Sequence, residues 1–228
     1  MRVAHYDPFA EQYHHMVQKG GAESSYRYIL RQLQSLSDLQ GAAICDVGCG
    51  DGELSSRLSL LGAEVTGIDL SAKLLAYARG KTGNVTWLQD DAMVLGKLPD
   101  EAYDCAVSSV MLMDVPDHGA VFRACHRILK PGGVMVWTVM HPCFQSPFSY
   151  PMGDGSRKVM QYAPQFWKSG GTGTIRSTLG AYHRPLAQYI NDFMASGFSL
   201  LRVDEVERMD TSVDDLPLLF AAVGRKRE

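Results

Sequence analysis

Three carboxylates and a run of glycines carry the most specific chemistry in this sequence. Asp46-x-Gly48-x-Gly50-x-Gly52 lies where the apolar run Ile44–Val47 ends, Asp69 closes Val65-Thr66-Gly67-Ile68, and Asp91 stands in Gln89-Asp90-Asp91-Ala92. Glycine at every second position lets a ligand approach the backbone with no Cβ in between. Asp46 sets a negative charge beside that turn. A pyrophosphate on a helix N-terminus would want the opposite sign. A dinucleotide turn, G-x-G-x-x-G, would also need glycine at position 53, where Glu53 stands. The pattern suits a ligand with adenosine at one end and a cationic amine at the other. Asp69, about 20 residues past the turn, is placed for ribose hydroxyls. Each acid also has an ordinary structural reading: a solvated strand end for Asp46, a helix cap for Asp69, a turn former for Asp91. Their recurrence at successive strand ends favours a site.

The elements needed to position these groups can be read from periodicity. Pro8 to Leu39 is helix-like, broken at Gly20-Gly21, with Tyr26, Ile29, Leu30, Leu33 and Leu36 at helical spacing. Strands are expected at Ala42–Val47, Glu64–Ile68, Asn84–Leu88, Tyr103–Ser108 and Val134–Val139. Helices are expected at Glu53–Leu61, Ala72–Arg79 (Ser71 as N-cap) and Asp117–Leu129, the last ended by the turn Lys130–Gly133. Pro185–Ala195 reads as a further helix, with Phe198–Val206 and Leu216–Val223 as two closing strands. This alternation implies an α/β fold with a parallel sheet and helices on both faces. Ligands of such sheets bind outside the carboxyl ends of the strands.

The 228 residues are 46% hydrophobic with a net charge of −3, enough for one core and without the basic footprint of a nucleic-acid binder. No run is long and apolar enough for a membrane span, and the N-terminus lacks a signal-peptide shape. Five cysteines, Cys45, Cys49, Cys105, Cys125 and Cys143, contain no C-x-x-C pair. They read as reduced, mostly buried thiols of a cytoplasmic protein with no metal site.

From about Ala42 to Gly133 the motifs, in this order, resemble those of the class I S-adenosylmethionine-dependent methyltransferases. The resemblance implies a Rossmann-like, seven-stranded, mainly parallel sheet with an antiparallel last strand and an insertion after the fifth strand. It places Asp46, Gly48, Cys49 and Gly50 around the methionine part of the cofactor. Asp69 and Leu70 would meet the ribose, and Asp91 and Ala92 the adenine. Ser108, which ends the fourth strand in Tyr103–Ser108, is a further cofactor contact, and Leu129–Gly133 resembles the turn before the fifth. His5–Tyr13 resembles the family's opening segment, with Tyr6 and Tyr13 as candidate contacts. Residues 1–40 are then a helical cap over the cofactor and 41–228 the methyltransferase domain, one domain overall.

Methyl transfer from a sulfonium is an in-line displacement, so alignment and exclusion of water matter more than acid–base help. A hydroxyl acceptor gains from a base. His141 and His183 are the candidate catalytic groups, and either could equally be a packing or orienting residue. Residues 144–182, rich in Gly, Pro and aromatics, resemble the substrate lid of small-molecule methyltransferases. Met111, Tyr6, Tyr150, Tyr182 and Arg184 are the candidate substrate contacts. Arg184 and Arg176 could each bind a carboxylate or be surface charges. Ser108-Ser109-Val110-Met111 lacks the Asn/Asp-Pro-Pro-aromatic motif of DNA amino-methylating enzymes, and Cys143 is read as structural. The expected partner is a small molecule, with no nucleic acid and no membrane, in a monomer or homodimer. Two alternatives stay open: attack at another carbon beside the sulfur, giving cyclisation or aminocarboxypropyl transfer, and a non-catalytic cofactor-binding regulator.

Overall fold

The computed structural model describes residues 3–145, 147–170, 172–207 and 216–227. Met1 and Arg2 of the expected cap, and Ser146 and Gly171 of the expected lid, lie outside the described residues. A short 3-10 turn, Asp7–Phe9, leads into α1 (Ala10–Gln18) and α2 (Glu23–Leu36). The alternation follows: β1 (Ala43–Val47), α3 (Glu53–Leu60), β2 (Glu64–Asp69), α4 (Ala72–Ala78), β3 (Val85–Gln89), β4 (Tyr103–Ser109), α5 (His118–Ile128) and β5 (Leu129–Met140). Then come β6 (Ser149–Pro151), β7 (Arg157–Val159), β8 (Gln165–Trp167), α6 (Ile175–Thr178) and β9 (Ala181–His183). The chain closes with α7 (Leu186–Ala195), β10 (Phe198–Glu207) and β11 (Pro217–Lys226).

The main sheet has seven strands in the order β10-β11-β5-β4-β1-β2-β3. β1 to β5 are parallel to one another, and β11 runs antiparallel between β5 and β10. This is the Rossmann-like arrangement expected, with its antiparallel last strand. The strand order reverses between β1 and β4, which puts the switch point beside the glycine turn.

Alternating residues of the strands feed two apolar layers. Ile44, Val65, Val107 and Val136 pack under Ile29, Leu33, Leu54 and Leu58 of α2 and α3. Cys45, Ile68, Ala106 and Trp137 pack on the other face with Phe122, Tyr189 and Phe193 of α5 and α7. Each fully buried large side chain of this kind stabilises by about 1.5–3 kcal/mol. Ser71 caps α4, its Oγ accepting from the Leu74 N–H at 3.1 Å. Most boundaries shift by a residue or a few, and the largest shift is at the start of β5. Lys130–Gly133 is drawn into β5, because Leu129 already pairs with Tyr103 and a register shift between Tyr103 and Cys105 absorbs the turn.

The segment after β5 is not loop. It folds into two small antiparallel ribbons, β6–β7 and β8–β9, with α6 between the strands of the second. Its own aromatics hold it: Phe148 meets Trp167 edge-on at 5.4 Å, and Phe166 meets Tyr182 at 5.1 Å.

Candidate active site

The carboxyl ends of β1 to β5 open onto one cavity of about 730 Å3, within the range of roughly 300–1,000 Å3 usual for small-molecule sites. Gly48 and Gly50 form its floor, with Asp69 and Leu70 after β2, and Asp91 and Ala92 after β3. Met111 stands against the turn, so a Cβ on Gly48 would collide with its Cγ. Gly48 and Gly50 have φ of +76° and +56°, values that an L side chain adopts only at a cost.

Asp69 is held by the turn that it faces. Its Oδ2 accepts from the Gly50 N–H at 2.9 Å and its Oδ1 from the Ser71 N–H at 2.8 Å. Burial raises its pKa, and the two backbone donors pull it back. Asp91 Oδ1 accepts from the Met93 N–H at 2.8 Å. The N-terminal segment roofs this half of the cavity. Tyr13 of α1 lies on Gly50, Tyr6 meets Tyr13 edge-on at 5.6 Å, and the Tyr6 hydroxyl donates to Asp114 Oδ2 at 3.0 Å. A link that local sequence does not show fixes α1 to the turn: His14 Nδ1 lies 2.7 Å from the Oδ2 of fully buried Asp51, and the imidazole stacks on Tyr77.

Several expected contacts stand elsewhere. Asp46 is one layer below the turn, with Oδ2 accepting from Ser55 Oγ at 2.6 Å, and does not line the cavity. Nor is its charge fixed, because burial pushes its pKa up to about 7. Cys49 is buried and faces Gly67. Ser108 is fully buried; the next residues, Ser109 and Val110, reach the cavity instead. His141 is buried away from it, with Nε2 3.0 Å from Glu205 Oε1 and Nδ1 accepting from the Cys143 N–H. His183 packs on Phe148 at 4.3 Å within the core of the insertion, where burial lowers its pKa. Neither histidine lines the cavity.

Arg184 is a strut. Its guanidinium donates to the carbonyls of Leu112, Val115 and Pro116 and covers the Tyr182 ring at 4.9 Å. Those contacts hold the loop after β4 and leave it outside the cavity wall, as are Tyr182 and the half-exposed Tyr150. The cationic groups that do reach the wall, among the described residues, are Arg157 of β7 and Arg176 of α6, the latter paired with Asp114.

S-adenosylmethionine fits these residues. The glycine floor leaves room that a Cβ would fill, Asp69 and Asp91 face the same space, and Asp46 Oδ1 and Asp51 Oδ1 are buried acceptors with no hydrogen-bond partner among the described residues. Among the described residues, no group of three His, Cys, Asp or Glu side chains is placed to hold a metal, and no helix is long and apolar enough to cross a membrane.

Residues 45–137 match the model of a methyltransferase domain family. The ubiquinone biosynthesis O-methyltransferase of Pseudomonas syringae pv. tomato is 32% identical over 170 residues, covering 72% of each chain. That of Pseudomonas putida (strain GB-1) is 31% identical over the same length. An S-adenosylmethionine-dependent methyltransferase from Mesorhizobium loti superposes with a TM-score of 0.72 at 29% identity, covering 84% of this chain and 94% of that one. The chain belongs to the S-adenosylmethionine-dependent methyltransferases. It is an enzyme, and its cofactor is S-adenosylmethionine.

Proposed function

We propose that the enzyme methylates an oxygen of a small, largely apolar acceptor enclosed between the N-terminal cap and a lid formed by residues 144–182. One observation carries this reading. The cavity that begins at Gly48, Gly50 and Asp69 continues without a break into a chamber walled by Met113, Met140, Phe144, Trp167, Ile175 and Leu218. Cofactor and acceptor would share one enclosure, and its second half is mainly apolar, with Gln145, Ser149, Arg157 and Arg176 as its polar groups. The curated relatives named above are O-methyltransferases, which favours oxygen over nitrogen or carbon.

Bound in the first half, the cofactor supplies an electrophilic methyl on a sulfonium with a good leaving group. The protein's share is placement. Asp69 and Asp91 would hold the nucleoside, Tyr6 and Tyr13 would cover it, and Met111 and the lid would exclude water. The net charge of −3 and the single-enclosure site support a soluble, cytoplasmic enzyme of metabolites, as monomer or homodimer, rather than one acting on nucleic acid or at a membrane.

Mass spectrometry of S-adenosylmethionine incubated with the pure protein, with and without a metabolite extract, tests this. S-adenosylhomocysteine formed only with extract, beside a product heavier by one methyl group, is the expected result. Methylthioadenosine formed without any acceptor would overturn it.

A further inference from the structure

We infer that Arg176 is a catalytic residue that receives the acceptor oxygen as an anion, so that no side-chain base is needed. This rests on the reading of the chamber as the site of an oxygen acceptor.

Both histidines are buried outside the cavity. The chamber is mainly apolar, with Gln145, Ser149 and Arg157 among its polar groups, and a neutral hydroxyl is a poor nucleophile there. Among the described residues two cationic side chains, Arg157 and Arg176, line the cavity; Arg157 donates to Ser149 Oγ, and Arg176 pairs with Asp114. The Arg176 guanidinium carries five N–H donors and no acceptor. Nη1 donates to Asp114 Oδ1 and to the Gly180 carbonyl (3.1 Å), and Nη2 donates to Asp114 Oδ2 (3.4 Å). One N–H on Nη2 and the Nε–H have no hydrogen-bond partner among the described residues, and the side chain lines the cavity. Its side chain is 25% exposed, so these donors are within reach of a ligand.

The group is also aimed. Asp114 is fixed from the other side by the Tyr6 hydroxyl, and its own N–H donates to the Met111 carbonyl at 2.7 Å. A continuous series of contacts therefore runs from the glycine floor through Tyr13, Tyr6 and Asp114 to Arg176. It sets the spare donors at the border between the cofactor half and the acceptor chamber. Charge-assisted donors held in place before the ligand arrives favour an ionised oxygen over a neutral one. In the step itself the acceptor hydroxyl loses its proton to solvent and stays bound as the oxyanion. An oxygen lone pair forms the new O–C bond while the C–S bond breaks, and sulfur keeps that bond's electron pair. Charge balances, since an anion and a sulfonium give two neutral products and the proton is already in solvent. The substrate class is an acceptor whose hydroxyl is acidic enough to ionise near neutrality, such as a phenol.

The test uses 4-nitrophenol as the probe, because its phenol and phenolate absorb differently. It is added to the full-length protein saturated with S-adenosylhomocysteine, at a pH about one unit below the probe's own pKa. The wild type is expected to show the phenolate band of bound probe, and Arg176→Gln the phenol band, with at least tenfold less ionised probe. The double variant Arg176→Gln/Asp114→Asn removes both partners of the ion pair and guards against misfolding. It should behave like the single variant while S-adenosylhomocysteine still binds. Bound neutral phenol in the wild type, or an unchanged phenolate band in both variants, overturns the inference and leaves the oxygen-acceptor reading standing. Failure of the wild type to methylate any phenol or extract component strikes that reading, and the inference with it.

Discussion

Tyr13 lies directly on the glycine turn: a Cβ built on Gly50 would stand 2.8 Å from Tyr13 Cε1 and 2.9 Å from its hydroxyl. The floor of the cavity and its roof are therefore one fitted surface, although 37 residues separate them. The glycine serves two ends. It permits a φ of +56°, and it leaves the ring its place.

Gly50→Ala is accordingly expected to cost twice. The left-handed backbone alone costs about 1–2 kcal/mol with a side chain, and the ring must move as well. Calorimetric titration with S-adenosylhomocysteine should show affinity at least tenfold weaker, with a lowered melting temperature. Gly50→Ala combined with Tyr13→Ala should recover part of the stability and none of the affinity. Wild-type affinity in the single variant would mean that the turn does not touch the cofactor.

Asp69 is expected to matter through its charge as much as its shape. Both oxygens already accept backbone N–H groups, from Gly50 and Ser71. Asp69→Asn keeps the volume but turns an amide donor toward one of them. Hydrogen bonds to a charged group contribute about 1.5–3 kcal/mol, so cofactor affinity should fall by roughly ten- to a hundredfold. Turnover at saturating cofactor should change far less, and a variant that binds S-adenosylhomocysteine normally would remove Asp69 from the nucleoside site.

Asp46 gives the fold a pH dependence of unusual sign. Its pKa is about 7 when folded, against about 4 for an ordinary carboxylate. Between those values the folded protein holds a proton that the unfolded chain has released. Stability from this group is thus complete below about pH 4 and lost as pH rises toward 7, by at most about 1.4 kcal/mol per unit. Asp104 and Asp204, with lowered pKa values, act in the opposite direction, so the comparison must be with Asp46→Asn. Denaturant melts from pH 5 to 8 should show the wild type losing stability relative to that variant and the gap levelling above pH 7. Parallel curves would mean that Asp46 is ionised throughout.

Local pattern was informative where local physics decides the outcome. Strand and helix periods, the Ser71 cap and the glycine turn place Gly48, Gly50, Asp69 and Asp91 around one cavity, and the family resemblance adds Leu70, Ala92 and Met111 to its lining and Tyr6 and Tyr13 over it. What sequence could not show depends on distant partners. Arg176 and Arg184 look alike in the chain, yet one meets Asp114 at the cavity wall and the other spends its donors on three carbonyls. His14 finds Asp51 only once α1 has folded over the turn. Asp46 reads as a charge, whereas burial decides whether it carries one.

The two histidines that sequence offered as bases are expected to act on stability instead. His141 Nδ1 accepts the Cys143 N–H at 3.2 Å, so Nε2 carries the hydrogen and donates to Glu205. Both nitrogens are thus occupied, and the ring stacks on Phe144 at 4.5 Å. His141→Ala should cost about 1–3 kcal/mol of stability through the partners left behind. His183 is held neutral by burial among Phe148 and Tyr162, and His183→Phe keeps that packing. Both variants should keep wild-type cofactor affinity, turnover within about threefold, a barrier change below 1 kcal/mol, and an unshifted acidic limb in the pH–rate profile. Disappearance of that limb in either variant, with the protein still folded, would restore the histidine as the base.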